Sequence, residues 1–586
     1  MAEIAQGWAF PALPNRDCEL KLLRHLSARA LATLGGTCRA GFVLTRDEAL
    51  WEVLCGRAYA ALVRRARVGD DAAAKSLRSA VRGEPGGSGG LWRDAFWASF
   101  WARSRVRTWG SCHRSQTGHG QSLSAPEPLV SLDYRAVVEV SCGGNHSVAR
   151  TLAGDVYCWG WGDNGQLGRG SMDHGGHADN GKDHIPARVR GIAGATRVAA
   201  GQLFSVAVTR DGQCFCWGAN GNGQLGIGST ESTSVATIAL GPGARQGTST
   251  AMVVDVACGQ AHVVAKVRDF GDGGGASGRR EVSRECVCVA WGRNSHGQVG
   301  SAGGAGTGLG HASLGNHLRP CLVTGLPRGS ESAGVQSVAA GANFSVALVR
   351  KQSDGIRAAR AGAEEGCTVW MWGQGKGGAC GTKGVGDVQS PVMVKALENE
   401  AVVQVACGAH HCVAATNEGA IWGWGLDSCN QLGGGGGGGP GAASASKGKP
   451  PHKLDAALFS RLPRPVDGHA LLLACGVEHT LVGVRGAELA GGLVVLGGTL
   501  GVGCSSSADR SEREGVHSSG TLGEVVTALS SGATHHAVIT CKPDQCDRAL
   551  LCGQLCAAED SGKQLITPAA GGVAAMVPTD TRVKGY

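Results

Sequence analysis

Nineteen histidines and 23 cysteines are the side chains of this 586-residue protein best suited to bind a metal or act as nucleophiles. Five of the histidines, His146, His262, His411, His479 and His535, share one recurring context, three residues after a glycine. A lone histidine there would suggest a base or a ligand. Five equivalents, with Phe204 and Phe344 filling the same slot twice more, read instead as one structural hydrogen bond repeated, because buried polar groups need partners. The close cysteine pairs Cys214/Cys216, Cys286/Cys288, Cys541/Cys546 and Cys552/Cys556 lack the two-residue spacing of zinc knuckles, so no metal is expected. Walker loops, nucleophile elbows and paired-carboxylate signatures are missing, and nothing marks one cysteine as catalytic. The GxGxxG-like stretches lie in turns between strands, not before a helix. The expectation is a protein without cofactor or catalytic residues, which binds others.

The elements that carry these residues repeat. A hydrophobic pair, a small residue or Cys, Gly, two variable residues and then His or Phe recur at Val140–Ser147, Val198–Ser205, Val256–Val263, Val338–Ser345, Val405–Cys412, Leu473–Thr480 and Leu529–His536. The shared glycines are Gly143, Gly201, Gly259, Gly341, Gly408, Gly476 and Gly532, spaced by 58, 58, 82, 67, 68 and 56 residues. A second signature follows, best seen at Val156–Gly168 (VYCWGWGDNGQLG), Cys214–Gly226, Val289–Gly300 and Trp422–Gly433. Runs of Val, Ala and Cys read as short buried strands. The NGxGQLG turns supply glycines for positive φ and Asn to bond its own backbone. Trp159, Trp217, Trp291, Trp372 and Trp422 read as packing residues. One such unit has too little apolar face to stand alone; several arranged radially bury each other, as in a propeller.

These motifs resemble the regulator-of-chromosome-condensation repeat, which implies an all-β, seven-bladed β-propeller over residues 126–586. Three blades depart from the pattern: blade four reads WGQGKGGACG, blade six has Leu496–Gly498 for the expected WG, and blade seven has only Leu551–Leu555. Insertions at Arg268–Glu285, Ser353–Glu365, Gly434–Gly439 and Cys504–Ser519 are rich in Gly, Ser and charge, and read as spacer loops. The tail from Thr567 is a further candidate for a closing strand.

A small α-helical domain is expected before the propeller. After a tail of residues 1–12, residues 13–60 place Leu20, Leu23, Leu26, Leu31 and Leu34 at three- to four-residue spacing, with Ser27 as N-cap of Ala28–Leu34 and Gly35–Gly36 after it. Leu13–Pro14, Leu22–Ser27, Leu31, Cys38–Arg39, Phe42 and Leu50–Cys55 make this segment resemble an F-box. The resemblance implies docking on the Skp-type adaptor of a cullin ubiquitin ligase through Leu13, Pro14, Leu22, Leu23, Leu26 and Leu31; the plainer alternative is that these leucines form a helical core. Residues 61–115 read as a basic, aromatic helical extension, with Trp92, Phe96, Phe100 and Trp101 at helical spacing and Arg103, Arg105 and Arg107 after them. Stacking on nucleic acid is one use for that pattern, and a core with a solvated face is the simpler one. Residues 116–125 read as a linker.

Charge bears on the partner. Residues 1–120 hold 18 Lys and Arg against 10 Asp and Glu, whereas the remainder has 37 of each, so the repeat region lacks the basic excess of a phosphate-gripping surface. The start of the chain has no secretory pattern, no apolar run is long enough for a membrane helix, and the scattered cysteines suit the reducing cytosol or nucleus. The favoured reading is a substrate receptor, F-box on the ligase and propeller on an unknown target. A guanine-nucleotide exchange factor for a Ran-like small GTPase, or a chromatin-associated propeller, is the alternative. A light sensor resembling the plant ultraviolet-B photoreceptor is set aside: that family carries Trp after the phrase glycine in several blades, where this chain has Gly144, Gln202, Gln260, Ala342, Ala409, Val477 and Ala533.

Overall fold

Each copy of the phrase lies across a β-hairpin whose second strand is largely buried. Phe204–Thr209 (FSVAVT) and His411–Thr416 (HCVAAT) are buried at every residue, the mark of strands covered on both faces. A computed structural model describes residues 104–133, 135–170, 184–242, 251–268, 286–301, 315–327, 334–351, 366–382, 386–433, 449–454, 471–484, 493–497 and 524–541. Residues 13–60 with their adaptor-contact leucines, most of the insertions and the tail lie outside them. All described residues except Arg135 and Ala136 belong to one compact unit, Ser104–Asp133 with Val137–Cys541.

The strands of this unit form six antiparallel sheets among the described residues. Val137–Cys142, His146–Thr151, Val156–Gly160 and Ala187–Arg188 pair in chain order. So do Ala195–Ala200, Phe204–Thr209, Cys214–Gly218 and Thr233–Leu240, and then Met252–Cys258, His262–Arg268, Cys286–Gly292 and His317–Leu322. An eight-stranded sheet runs from Val335–Ala340 to Lys449–Lys453 and is two such four-stranded stacks joined through the pair Cys367 and Val402. Leu471–Cys475, His479–Val484 and Leu493–Gly497 make a three-stranded sheet. The innermost strands touch in a closed ring: Val137–Cys142 meets Ala195–Ala200, then Met252–Cys258, Val335–Ala340, Val402–Cys407, Leu471–Cys475 and Val525–Ser531, which meets Val137–Cys142 again. The architecture is a β-propeller of antiparallel sheets.

Closure corrects the sequence reading. Residues expected to end a helical extension and form a linker are strands: Arg105–Gly110 and Leu123–Pro128. Arg105–Gly110 pairs antiparallel with His535–Cys541, from Arg105 opposite Thr540 to Gly110 opposite His535, so the chain's early segment completes its last sheet. The propeller therefore begins at Ser104, not near residue 126. Aromatics at helical spacing followed by three arginines resemble a helix face, but an alternating RVR also fits a strand, and pairing with a partner more than 400 residues away decides. A sequence signal was present: Trp109–Gly118 (WGSCHRSQTG) is a further copy of the second signature, with Trp, Gly, Gln and Gly in register with Trp159, Gly160, Gln166 and Gly168.

A buried ion pair fastens this closure. Arg107 and Glu524 are 1% and 4% exposed, with Arg107 Nε donating to Glu524 Oε2 over 2.9 Å. Thr540 Oγ1 donates to the same oxygen at 2.8 Å, and Arg105 reaches Oε1 at 3.4 Å. Burial alone would raise the pKa of Glu524; the hydrogen bonds from Arg107 and Thr540 and the charges of both arginines hold it below the usual carboxylate value. Glu524→Leu leaves the Arg107 charge buried without its counter-ion and is expected to cost about 3–5 kcal/mol, whereas Arg107→Met with Glu524→Leu restores most of that loss. Urea unfolding of the three proteins checks both statements.

Candidate functional site

The seven phrase glycines surround one axis because nothing larger fits there. A Cβ on Gly259 would lie 2.5 Å from the carbonyl oxygen of Gly341 in the next hairpin and would strike the ring of His262; Gly408 is caught in the same way between Gly476 and His411. The constraint is space, since these glycines do not have positive φ. The glycines after the tryptophans differ: Gly160 and Gly218 have φ of 105° and 111°, and each backs onto the carbonyl just before the His or Phe.

Beyond the axis, one joint recurs between neighbouring hairpins. His146 Nε2 lies 3.0 Å from Ser205 Oγ, whose own proton goes to the carbonyl of Gln166 at 2.8 Å. The hydroxyl has one proton to give, so the ring nitrogen must be the donor. His262 with Ser345 and Gln298, His411 with Thr480 and Gln431, and His535 with Ser147 and Gln116 repeat the arrangement. The same carbonyls accept an indole N–H: Trp159 donates to Gln116, Trp217 to Gln166, Trp291 to Gln224 and Trp372 to Gln298, all at 2.9–3.1 Å. Each of these glutamines also caps its own turn, as Gln166 Oε1 does by accepting from the backbone N–H of Asn164. Where the slot holds Phe, the facing residue is apolar: Phe204 shares a core with Val263, and Phe344 with Cys412. His479 instead meets Ser531 at 2.6 Å, and Ser531 also binds His536. The histidines are thus structural, as their repetition implied. In the fifth copy the buried indole is Trp424, donating to Ala379, and not the half-buried Trp422 named from the sequence. Two WG pairs in succession made the choice ambiguous; burial resolves it.

Desolvation lowers the pKa of these histidines, to about 4 for His146, His262 and His479 and about 3 for His411 and His535. It raises the buried thiols, Cys142 and Cys158 to about 12, so they are protonated packing groups rather than nucleophiles. Among the described residues no three His, Cys, Asp or Glu side chains converge as metal ligands would.

What remains for binding is the axis itself. The hairpins enclose a cavity of about 330 Å³, lined by Gly144, Gln202, Gln260, Ala342, Ala409, Val477 and Ala533 and by Asn343 and His410. The seven positions just after the phrase glycines are therefore its wall. Around it, the second-signature turns interlock with the hairpin loops, through Trp161 N–H to Asn145 O, Ala219 N–H to Leu203 O and Gln374 N–H to Asn343 O at 2.8–2.9 Å. Both sets of turns therefore open on the same face. Sequence reasoning singled out the wall residues but passed over Asn343 and His410, one place further on, which add polar residues to the lining.

The Regulator of chromosome condensation (RCC1) repeat matches residues 105–150, 153–208, 211–265, 290–348 and 368–415. The ultraviolet-B receptor UVR8 of Arabidopsis thaliana is 30% identical over 359 residues, which span 56% of this chain and 74% of that protein. The chain belongs to the regulator of chromosome condensation repeat family. Within the family, human E3 ubiquitin-protein ligase HERC2 is 28% identical over 327 residues, but these are only 6% of its length. The crystal structure of yeast RCC1 (Prp20) bound to Kap60 has a similar fold, with a TM-score of 0.55 and 16% identity over 79% of this chain and 92% of that one. The Saccharomyces cerevisiae Prp20p structure is similar at 0.54, with 17% identity over 78% and 97%. First matches begin at residue 105, in agreement with the closing strand.

Ser345→Val strips the acceptor from His262 and is expected to cost about 1–3 kcal/mol, while adding His262→Phe recreates the Phe204–Val263 pairing and recovers most of it. Because the folded pKa values lie below the unfolded 6.5, the unfolded chain takes up protons first. Stability is then complete above about pH 6.5 and falls toward pH 4, by about 1.4 kcal/mol per pH unit for each such histidine. Denaturant unfolding between pH 7.5 and 5 should show the double variant with the shallower slope, by about one proton.

Proposed function

We propose that this chain is a non-catalytic substrate receptor of a Skp–cullin-type ubiquitin ligase, working in the cytosol or nucleus. Residues 13–60 dock the adaptor through Leu13, Pro14, Leu22, Leu23, Leu26 and Leu31, and a seven-bladed propeller, one blade per phrase copy, presents the target on the face around its central cavity. The observation that carries this reading is the order of the two parts, an F-box-like leucine pattern followed by a repeat domain whose polar groups are consumed by its own joints. The closed ring of innermost strands supports the blade count. With the interior histidines and thiols neutral and buried, no described residue there is equipped for chemistry, and the mouth is left as a place of contact. The receptor then acts by raising the effective concentration of a target's lysines beside a ubiquitin-conjugating enzyme. HERC2, named as a ubiquitin ligase, carries the same repeats and makes a ubiquitin-linked role compatible with them.

A second reading has an observation of its own. Prp20p, a structural neighbour, is described by its binding to Gsp1p and histones, so a partner of the small-GTPase class, with guanine-nucleotide exchange as the activity, is the alternative. The equal numbers of acidic and basic residues beyond residue 120 argue against a histone-free grip on DNA.

Purified chain should capture the Skp adaptor, and Leu23→Asp with Leu26→Asp should abolish capture. Failure of the unmutated chain to bind rules the receptor out. Accelerated nucleotide release from a Ran-like GTPase would favour the alternative instead.

A further inference from the structure

We propose that Cys407 and Cys412 are a dithiol that hydrogen peroxide oxidises to a reversible disulfide across the fifth hairpin, a modification site bordering the central cavity. The proposal is independent of adaptor docking and of which partner the propeller holds. Val402–Cys407 and His411–Thr416 run antiparallel, with Cys407 directly opposite Cys412. The backbone N–H of Gly408 donates to the carbonyl of His411 at 2.8 Å, so these two form the hydrogen-bonded pair. Cys407 and Cys412 are then the non-hydrogen-bonded pair beside it. Residues opposed in that way stand about 4.5 Å apart at Cα, inside the roughly 4.4–6.8 Å that a disulfide spans. Their sulfurs are 3.7 Å apart, and both are free thiols.

The pair is particular to this hairpin. At the same register the other six place at most one cysteine, as in Cys142 with Ser147, Cys258 with Val263 and Cys475 with Thr480. Cys407 is half-buried and lines the cavity, whereas Cys412 has no exposure. The order of events follows from that difference. Cys407 meets the peroxide first: its thiolate sulfur attacks one peroxide oxygen, the O–O bond breaks, and the departing hydroxide takes up the thiol's proton as water. Cys407 is then a sulfenic acid. Cys412 Sγ attacks that sulfur, the S–O bond breaks, and the departing oxygen takes the Cys412 proton as a second water. Two thiols have lost two electrons and one hydrogen peroxide has become two waters. Two molecules of a small thiol such as glutathione return the pair by exchange, leaving as their own disulfide. The reaction is a stoichiometric modification, not catalysis. Burial raises the pKa of Cys412 well above that of an ordinary thiol, and its contact with Cys407 adds to this, so Cys412 is the resolving partner. The new bond brackets the loop that places Ala409 and His410 in the cavity wall, so oxidation acts on the wall itself.

Hydrogen peroxide titrated into the folded full chain, followed by denaturation in N-ethylmaleimide and peptide mapping, tests this. The tryptic peptide Ala396–Lys447 carries Cys407, Cys412 and Cys429. It should become lighter by two hydrogens, losing alkylation at Cys407 and Cys412 together and keeping it at Cys429, and dithiothreitol should restore both sites. Cys142, Cys258 and Cys475 also line the cavity but face no thiol across their hairpins, so they should stay alkylated at the lowest dose that oxidises the pair. Cys412→Ser should leave Cys407 as a sulfenic acid that dimedone traps, and Cys407→Ser should leave Cys412 alkylated. Retained alkylation at both sites, a bond from Cys407 to Cys475 instead, or loss at Cys412 in the Cys407→Ser chain overturns the proposal. Mapping of the unmutated chain decides by itself if a variant misfolds.

Discussion

At three junctions between neighbouring sheets of this propeller, a hydroxyl and an indole N–H converge on a single backbone carbonyl, that of Gln116, Gln166 or Gln298. The carbonyl of Gln166 takes the hydroxyl of Ser205 and the indole N–H of Trp217, while that hydroxyl takes the ring N–H of His146. Side chains of one hairpin thereby hold the turn of a second and the histidine of a third element in one buried cluster. The hydroxyl, the indole N–H and the histidine Nε2 are paired and the tryptophan is fully buried, so the joint combines hydrogen bonding with burial of a large aromatic side chain. Repetition of the joint around the axis makes the ring stiff, and its strength is the same fact as its acid sensitivity, because each histidine is held neutral.

The joint also explains a choice of residues that seems arbitrary along the chain. His in the slot accompanies Ser or Thr in the next copy at four joints, and Phe accompanies Val or Cys at two. A hydroxyl opposite Phe would be a buried donor and acceptor with less to bind, and a valine opposite His would orphan the ring N–H. The pairs are complementary across a boundary between repeats, so each copy is matched to its neighbour rather than to an ideal repeat. His479 is the exception; its partner is Ser531, which also meets His536 in a cluster edged by Trp109, and this lies beside the sheet that the early strand completes.

With the interior so committed, contact with other molecules falls to the residues that the joints do not use. These are the loop positions just beyond the phrase glycines and the outer turns. The positions just beyond the glycines are mostly small or polar, with Glu478 the one acid among them, whereas the outer turns carry both signs of charge, among them Arg114, Asp163, Lys376 and Asp427. The face is thus distinguished by what it lacks: neither a broad basic field nor an acidic one, which favours recognition of particular side chains over bulk electrostatics.

How much of this was legible beforehand depended on the range of the interaction. Local rules revealed the hairpins, the turns with their Asn, Gln and Gly, the structural role of the repeated histidines and the propeller itself, because each repeat must carry its own strand pattern and turn chemistry. The boundary at Ser104, the strand at Arg105–Gly110, the Trp424 packing position and the Arg107–Glu524 ion pair were decided only in three dimensions. In each, the partner lies tens to hundreds of residues away, and a short segment such as RVRTWG has no fixed conformation until a distant edge strand offers its hydrogen bonds.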